Sequence, residues 1–124
     1  MIVRKQRRVR ADGGLQLRFS QATGLDGSQV VSVTGELDIA TAGQAYAYLS
    51  DVIDHGDSQV NVDLGGLTFC DASGLGVLAR TANHARESGR PLKLTAARPS
   101  LVKIMRITGM DSTFPELSAP MAVR

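Results

Sequence analysis

The stretch Val62-Asp63-Leu64-Gly65-Gly66-Leu67-Thr68-Phe69-Cys70-Asp71-Ala72-Ser73-Gly74-Leu75-Gly76-Val77-Leu78 decides how this chain folds. Its first part continues an alternation begun at Val60, so that Val60, Val62 and Leu64 share one side of a strand. That strand closes at Gly65-Gly66, and Leu67 through Cys70 carries the chain onward. Asp71 then stands where a carboxylate accepts from the free amides of a first helical turn. Beyond it, Leu75, Leu78, Ala79, Ala82 and Ala85 recur at helical spacing and predict an inward stripe on a helix reaching about Ser88. Gly89 suits the end of that helix and Pro91 prevents its continuation.

Working outward, Leu15, Leu17 and Phe19 alternate with Gln16, Arg18 and Ser20, the period of a half-buried strand. A turn at Gly24–Gly27 leads to a second strand through Val31, Val33 and Gly35, which predicts a hairpin. Thr41 opens a helix whose apolar stripe is Ala42, Ala45, Tyr46, Leu49, Val52 and Ile53, ending at Gly56. Downstream, Leu92 and Leu94 mark a further strand. Pro99-Ser100 opens a third helix through Leu101, Val102, Ile104, Met105 and Ile107, stopped at Gly109. Past Asp111, Pro115 and Pro120 leave room only for a short, broken helix. The order β-β-α-β-α-β-α requires crossovers, hence an α/β domain with a mixed sheet that is parallel in its middle.

Composition sets the bounds. With 124 residues, 43% hydrophobic and 21% charged, the chain suits one globular domain rather than two or none. Apolar runs stay far below the roughly 20 residues that span a bilayer, and no secretory segment follows the basic start, so an intracellular, cytoplasmic protein without membrane insertion is expected. The net charge of +2 conceals an asymmetry: Arg4, Lys5, Arg7, Arg8 and Arg10 lie among ten residues without an acid, while the rest of the chain has a net charge of −3. Residues 1–14 read as a basic arm ending at Gly13-Gly14. Its first part offers an edge strand, and its charges oppose burial. Such an arm suits nucleic acid or an acidic partner, but it is more often a solvated tail, and with aromatics at 4% nucleic acid is not the expected partner.

Catalytic and metal chemistry find little support. The two histidines are His55, at a helix end, and His84, eleven residues after Ser73 and therefore roughly 16 Å along the same helix. No G-x-S-x-G elbow or phosphate loop is present, and Gly74-Leu75-Gly76 lacks the third glycine of a dinucleotide fingerprint. Two separated histidines and the single Cys70 make no metal-ligand spacing, and Cys70 beside Phe69 and an acid is expected to pack rather than react. No enzyme, cofactor or metal is expected. What remains is a cluster at two strand-to-helix junctions: Glu36, Asp38 and Thr41 at one, Asp71, Ala72, Ser73 and Gly74 at the other. If the strands before them are neighbours, both junctions emerge at one sheet edge, where folds of this class place their ligands. Helix capping alone accounts for each residue singly. As a group they make an acidic, hydroxyl-bearing face suited to a basic protein surface.

Three blocks of the sequence resemble one known family. Val31–Ala42, containing Gly35-Glu36-Leu37-Asp38 and Thr41-Ala42, resembles the "GELD…TA" signature of STAS domains, the bacterial anti-sigma factor antagonists and their relatives. Val62-Asp63-Leu64 through Leu78 resembles the family's D-L-x-x-x-x-F-x-D-S-S/T-G-L-G-x-L block, and Ile107-Thr108-Gly109-Met110 resembles its L-x-I-T-G-L. The resemblance covers roughly residues 15–117, leaving residues 118–124 as a tail. It implies a single domain with a mixed four- to five-stranded sheet and helices mainly on one side. It also implies partner switching: an antagonist binds an anti-sigma factor, usually a serine kinase, and so releases a sigma factor to regulate transcription. The kinase then phosphorylates the antagonist on the serine after the motif's Asp, and the complex dissociates.

At that decisive position this sequence departs from the pattern. The family's phosphoacceptor matches Ala72, which has no hydroxyl, and Ser73 matches the second hydroxyl residue. Three readings follow: an antagonist that no kinase switches off, phosphorylation at Ser73 instead, or another partner. Retained antagonist binding is favoured. The alternative is a non-phosphorylated subunit of a larger complex, such as a lipid-transport assembly or signalling scaffold. A homodimer is left open.

Overall fold

The computed structural model describes residues 4–10, 16–24, 26–56, 59–90 and 92–110. Alternation builds the sheet as the sequence implies. β2 (Gln16–Thr23) buries Leu17 and Phe19, β3 (Gln29–Leu37) buries Val31, Val33 and Leu37, and β4 (Val60–Cys70) buries Val60, Val62, Leu64 and Leu67. Preceding them is β1 (Arg4–Arg10), and β5 (Leu92–Thr95) follows. The sheet order is β1-β2-β3-β4-β5. β1–β2 and β2–β3 pair antiparallel, while β3–β4 and β4–β5 pair parallel. This is the α/β architecture with a mixed sheet that the element order requires.

The helices α1 (Ala42–Asp54), α2 (Ala72–Glu87) and α3 (Pro99–Thr108) lay their apolar stripes on the sheet's buried face. In α1 the buried positions are Ala45, Leu49, Val52 and Ile53, with Ala42 and Tyr46 packed at the margin. α2 buries Leu75, Leu78, Ala82 and Ala85 together with Val77 and Thr81, and Ala79 is half-buried. α3 stops at Gly109, whose φ of 80° reverses the chain. No helix among the described residues is long and apolar enough to cross a membrane.

One strand is placed where the sequence left the choice open, and one differs from the sequence-based expectation. Residues 4–10 lie within the stretch read as an arm and form β1. An edge position accommodates this charge, because an edge strand needs only one partner and its charges discourage further pairing. β4 does not close at Gly65-Gly66 but continues to Cys70. Its register against β3 shifts between Ser32 and Thr34 and again between Gly35 and Glu36, so β4 carries extra residues as bulges. Gly66 serves the bulge: a Cβ there would lie 2.8 Å from Thr34 Oγ1. The reading of a break after Pro115 and the tail at 118–124 lies outside the described residues.

Parallel pairing of β3 with β4 brings the two strand-to-helix junctions side by side. The contact is closed by the Asp71 amide, which donates to the Leu37 carbonyl at 3.2 Å. α2 approaches so closely that a Cβ on Gly74 would lie 2.5 Å from the Leu37 carbonyl oxygen and 2.7 Å from Cys70 Sγ. Backbone atoms cannot yield there, so Gly74→Ala is expected to cost about 1–3 kcal/mol. Gly76, two residues on, has nothing within 4 Å of such a Cβ, and Gly76→Ala is expected to add roughly 0.5–1 kcal/mol by helix propensity. Thermal unfolding of the two variants should therefore move in opposite directions, and equal shifts would contradict the close approach.

Candidate functional site

At the first junction, Asp38 and Thr41 are turned inward. Asp38 is 8% exposed and Thr41 is fully buried. The Asp38 carboxylate accepts from the amides of Ala40 (2.9 Å) and Thr41 (3.2 Å), an Asx-type turn. Thr41 Oγ1 accepts from the Asp38 amide at 3.0 Å and lies 3.1 Å from the Glu36 carbonyl, to which it donates. Thr41 makes no side-chain bond to the amides of α1. It locks the turn rather than capping the helix, and the Asp38 carbonyl receives the amides of Thr41 and Ala42. Glu36 lies at the end of β3, half-buried.

At the second junction Asp71 caps α2, as its place in the sequence predicts, with a carboxylate oxygen accepting from the Gly74 amide at 3.0 Å. Ala72 is exposed at the first helical position and Ser73 half-buried at the second. Gly74 is buried against Leu37. The fold thus brings all seven sequence-predicted residues to one edge, with Ala72 presented most openly and Asp38, Thr41 and Gly74 beneath the surface.

Sequence reasoning did not single out the exposed apolar residues next to the two junctions in the chain. Ile39 is 80% exposed at the tip of the first turn, and Phe69 is 51% exposed just before Asp71. Phe69 and Ile104 help line a cleft of about 150 Å³ between β4 and α3, together with Leu67, Thr68, Cys70, Ser100 and Leu101. The available signals were a large aliphatic residue inside a polar turn and an aromatic where alternation breaks. Neither histidine approaches this edge. His55 Nδ1 lies 2.9 Å from the Asp51 carbonyl at the end of α1, and that hydrogen bond, aided by the Asp51 charge, raises its pKa. His84 Nε2 meets Asp54 at 2.6 Å on the last turns of α2.

A sequence model described as "Mlab, STAS domain" matches residues 20–118. The chain belongs to the STAS domain family. BtrV of Bordetella bronchiseptica, named as a candidate anti-sigma factor antagonist, is 31% identical over 91 residues, which are 73% of this chain and 78% of that protein. The crystal structure of an anti-sigma factor antagonist from Mycobacterium paratuberculosis superposes with a TM-score of 0.71 at 27% identity, covering 86% of this chain and 88% of that one. The Bacillus cell fate determinant SpoIIAA, solved in its phosphorylated form, shares the fold with a TM-score of 0.60 at 22% identity, covering 77% and 87%.

Within this STAS domain Cys70 sits under the second junction, and its environment fixes its chemistry. Burial, with the Asp71 charge adding to it, pushes the thiol up to about 12. At neutral pH the thiolate fraction is therefore negligible. Folded protein should resist iodoacetamide at pH 8, whereas the urea-unfolded chain should react at the rate of an ordinary thiol. The linkage has a definite sign. Below the ordinary thiol pKa both states are protonated and Cys70 leaves stability unchanged. Above it the unfolded chain ionises first, so stability falls as pH rises toward about 12. Equal alkylation rates in the folded and unfolded chains would refute this placement.

Proposed function

We propose that the chain is a cytoplasmic anti-sigma factor antagonist that binds a serine-kinase-type anti-sigma factor and so releases a sigma factor. It binds through the edge formed by the two strand-to-helix junctions and performs no catalysis of its own. The observation that carries this reading is Ala72, exposed at the start of α2, on a junction held by the Asp71–Leu37 hydrogen bond to the end of β3, with Ile39 and Phe69 exposed on the two junction segments. Ala72, Ser73, Asp71 and Glu36 meet the partner, while Asp38, Thr41 and Gly74 hold the surface in shape. With no hydroxyl at 72, the kinase lacks its usual acceptor and the complex persists in the presence of ATP. With the Thr41 hydroxyl fully buried, Ser73 is the hydroxyl of the second junction and the site of any phosphate the protein accepts there.

The test restores what is missing. With a purified serine-kinase anti-sigma factor and ATP, the unaltered chain should stay bound, whereas Ala72→Ser should take up phosphate and dissociate. Ala72→Glu should weaken binding at least tenfold without ATP. Phosphate uptake by the unaltered chain that Ser73→Ala abolishes would replace persistence with switching at Ser73. Absence of any complex would overturn the antagonist reading.

A second reading is favoured by the same alanine and by the description of the matching family model. A STAS subunit of a larger assembly, such as a lipid-transport complex or a signalling scaffold, needs this docking edge and no phosphoacceptor. Co-purification with such an assembly, undisturbed by ATP and lost in Ala72→Glu, would put this reading first.

A further inference from the structure

Among the described residues, Ile39 is the most exposed large apolar side chain, at 80%. Leu37 lies in the hydrophobic core and Ala42 packs against it. Between them the chain leaves the core for one short turn and sets an isoleucine at the tip. An unconstrained loop would let such a side chain fold back onto neighbouring apolar surface.

The backbone that carries Ile39 is fixed on both sides. Before it, the Asp38 amide donates to Thr41 Oγ1 at 3.0 Å. After it, the amides of Ala40 and Thr41 donate to the Asp38 carboxylate at 2.9 and 3.2 Å. The Asp38 carbonyl accepts from the amides of Thr41 and Ala42 at 3.1 and 2.8 Å. Thr41 Oγ1 in turn donates to the Glu36 carbonyl at 3.1 Å, which ties the turn to the end of β3. Thr41 is fully buried and Asp38 nearly so, and bonds withdrawn from water in this way hold more firmly.

An apolar group held still in water gains most by entering a preformed apolar socket. Little conformational freedom is left to lose on binding. A desolvated anchor also carries more affinity than charges at the rim of a contact. Nearby charge does not compete for this role, because backbone amides engage the Asp38 carboxylate and Glu36 is half-buried. A single side chain is too small a patch to hold a second copy of the chain as a stable dimer. Ile39 is instead continuous with the edge assigned above to the anti-sigma factor, since it lies between Glu36 and Asp38 on one side and Thr41 on the other.

We infer that Ile39 is the apolar anchor of the docking edge, presented by the locked turn for insertion into an apolar socket on the anti-sigma factor. The inference rests on the antagonist reading and adds to it the residue that sets affinity.

Titration calorimetry of the full chain with the purified serine-kinase anti-sigma factor, without ATP, tests this. Ile39→Val should weaken binding about fourfold, the worth of one methylene, and Ile39→Ala by at least about tenfold. Ile107→Ala removes an isoleucine that is 73% exposed on α3, outside both junctions, and should leave binding unaltered. Thr41→Val deletes the hydroxyl that bridges the turn and should weaken binding, whereas Thr41→Ser keeps that hydroxyl and should preserve it. In the free protein the Ile39 amide should show an NMR order parameter of about 0.85, that of rigid backbone. Circular dichroism establishes that each variant is folded. Full binding by Ile39→Ala, an equal loss in Ile107→Ala, or an order parameter below about 0.6 at Ile39 would overturn the inference and leave the antagonist reading in place. Absence of any complex with the unaltered chain would overturn both.

Discussion

The parallel pairing of β3 with β4, and its closure where both strands end, is the constraint on which the rest of the molecule depends. Val31 and Val33 lie beside Val62 and Leu64 on the face that receives the helices, so these two strands carry the centre of the core. Their shared direction obliges α1 to cross over and return, and delivers both junctions to one edge. The Leu37 carbonyl is the meeting point: it accepts the Asp71 amide and lies against Gly74. A side chain at 74 would lift the start of α2 from β3 and separate the two halves of the docking edge.

Much of this was legible because it is local. Asp71 before a helical stripe, glycines past the ends of α2 and α3, and strict alternation in β2 and β3 each report a neighbourhood of a few residues. The unread parts depend on partners distant in sequence. Gly65-Gly66 reads as a turn by composition, yet β3 supplies a parallel neighbour that holds the pair in a bulged strand. Arg4–Arg10 reads as an arm that could add an edge strand but whose charge opposes burial, and β2 offers an edge where charge need not be buried. Thr41 sits at a helix start like a cap, but the tight turn at Asp38 captures its hydroxyl first. Alternation also could not show that Phe69 would stay exposed, because the bulges in β4 reset which face each later residue takes.

The structure also changes what the docking edge is made of. In the sequence it looks acidic, with Glu36, Asp38 and Asp71 close together. In the fold the Asp38 and Asp71 carboxylates each accept backbone amides, and Asp38 is withdrawn from solvent. What the edge presents outwardly is chiefly Ile39, Ala72 and Phe69, with the cleft before Ile104 beside them. A surface of this kind binds by fitting apolar groups into desolvated contact, and charge contributes at its rim.

Under the proposed function, that composition would make a single atom at position 72 decisive. A phosphate there would add about −1.5 to −2 charge in the middle of an apolar patch and within reach of the Asp71 carboxylate. Docking would then have to desolvate a dianion beside a like charge, and a penalty of 1.4 kcal/mol already lowers affinity tenfold. Alanine gives the opposite result. Its methyl group is apolar, as are the exposed side chains of Ile39 and Phe69, carries no oxygen, and leaves the cap at Asp71 and the close approach at Gly74 as they are. On the proposed reading, the chain keeps the Asp71 cap and the close approach at Gly74 and lacks only the hydroxyl oxygen that a phosphate at position 72 would need.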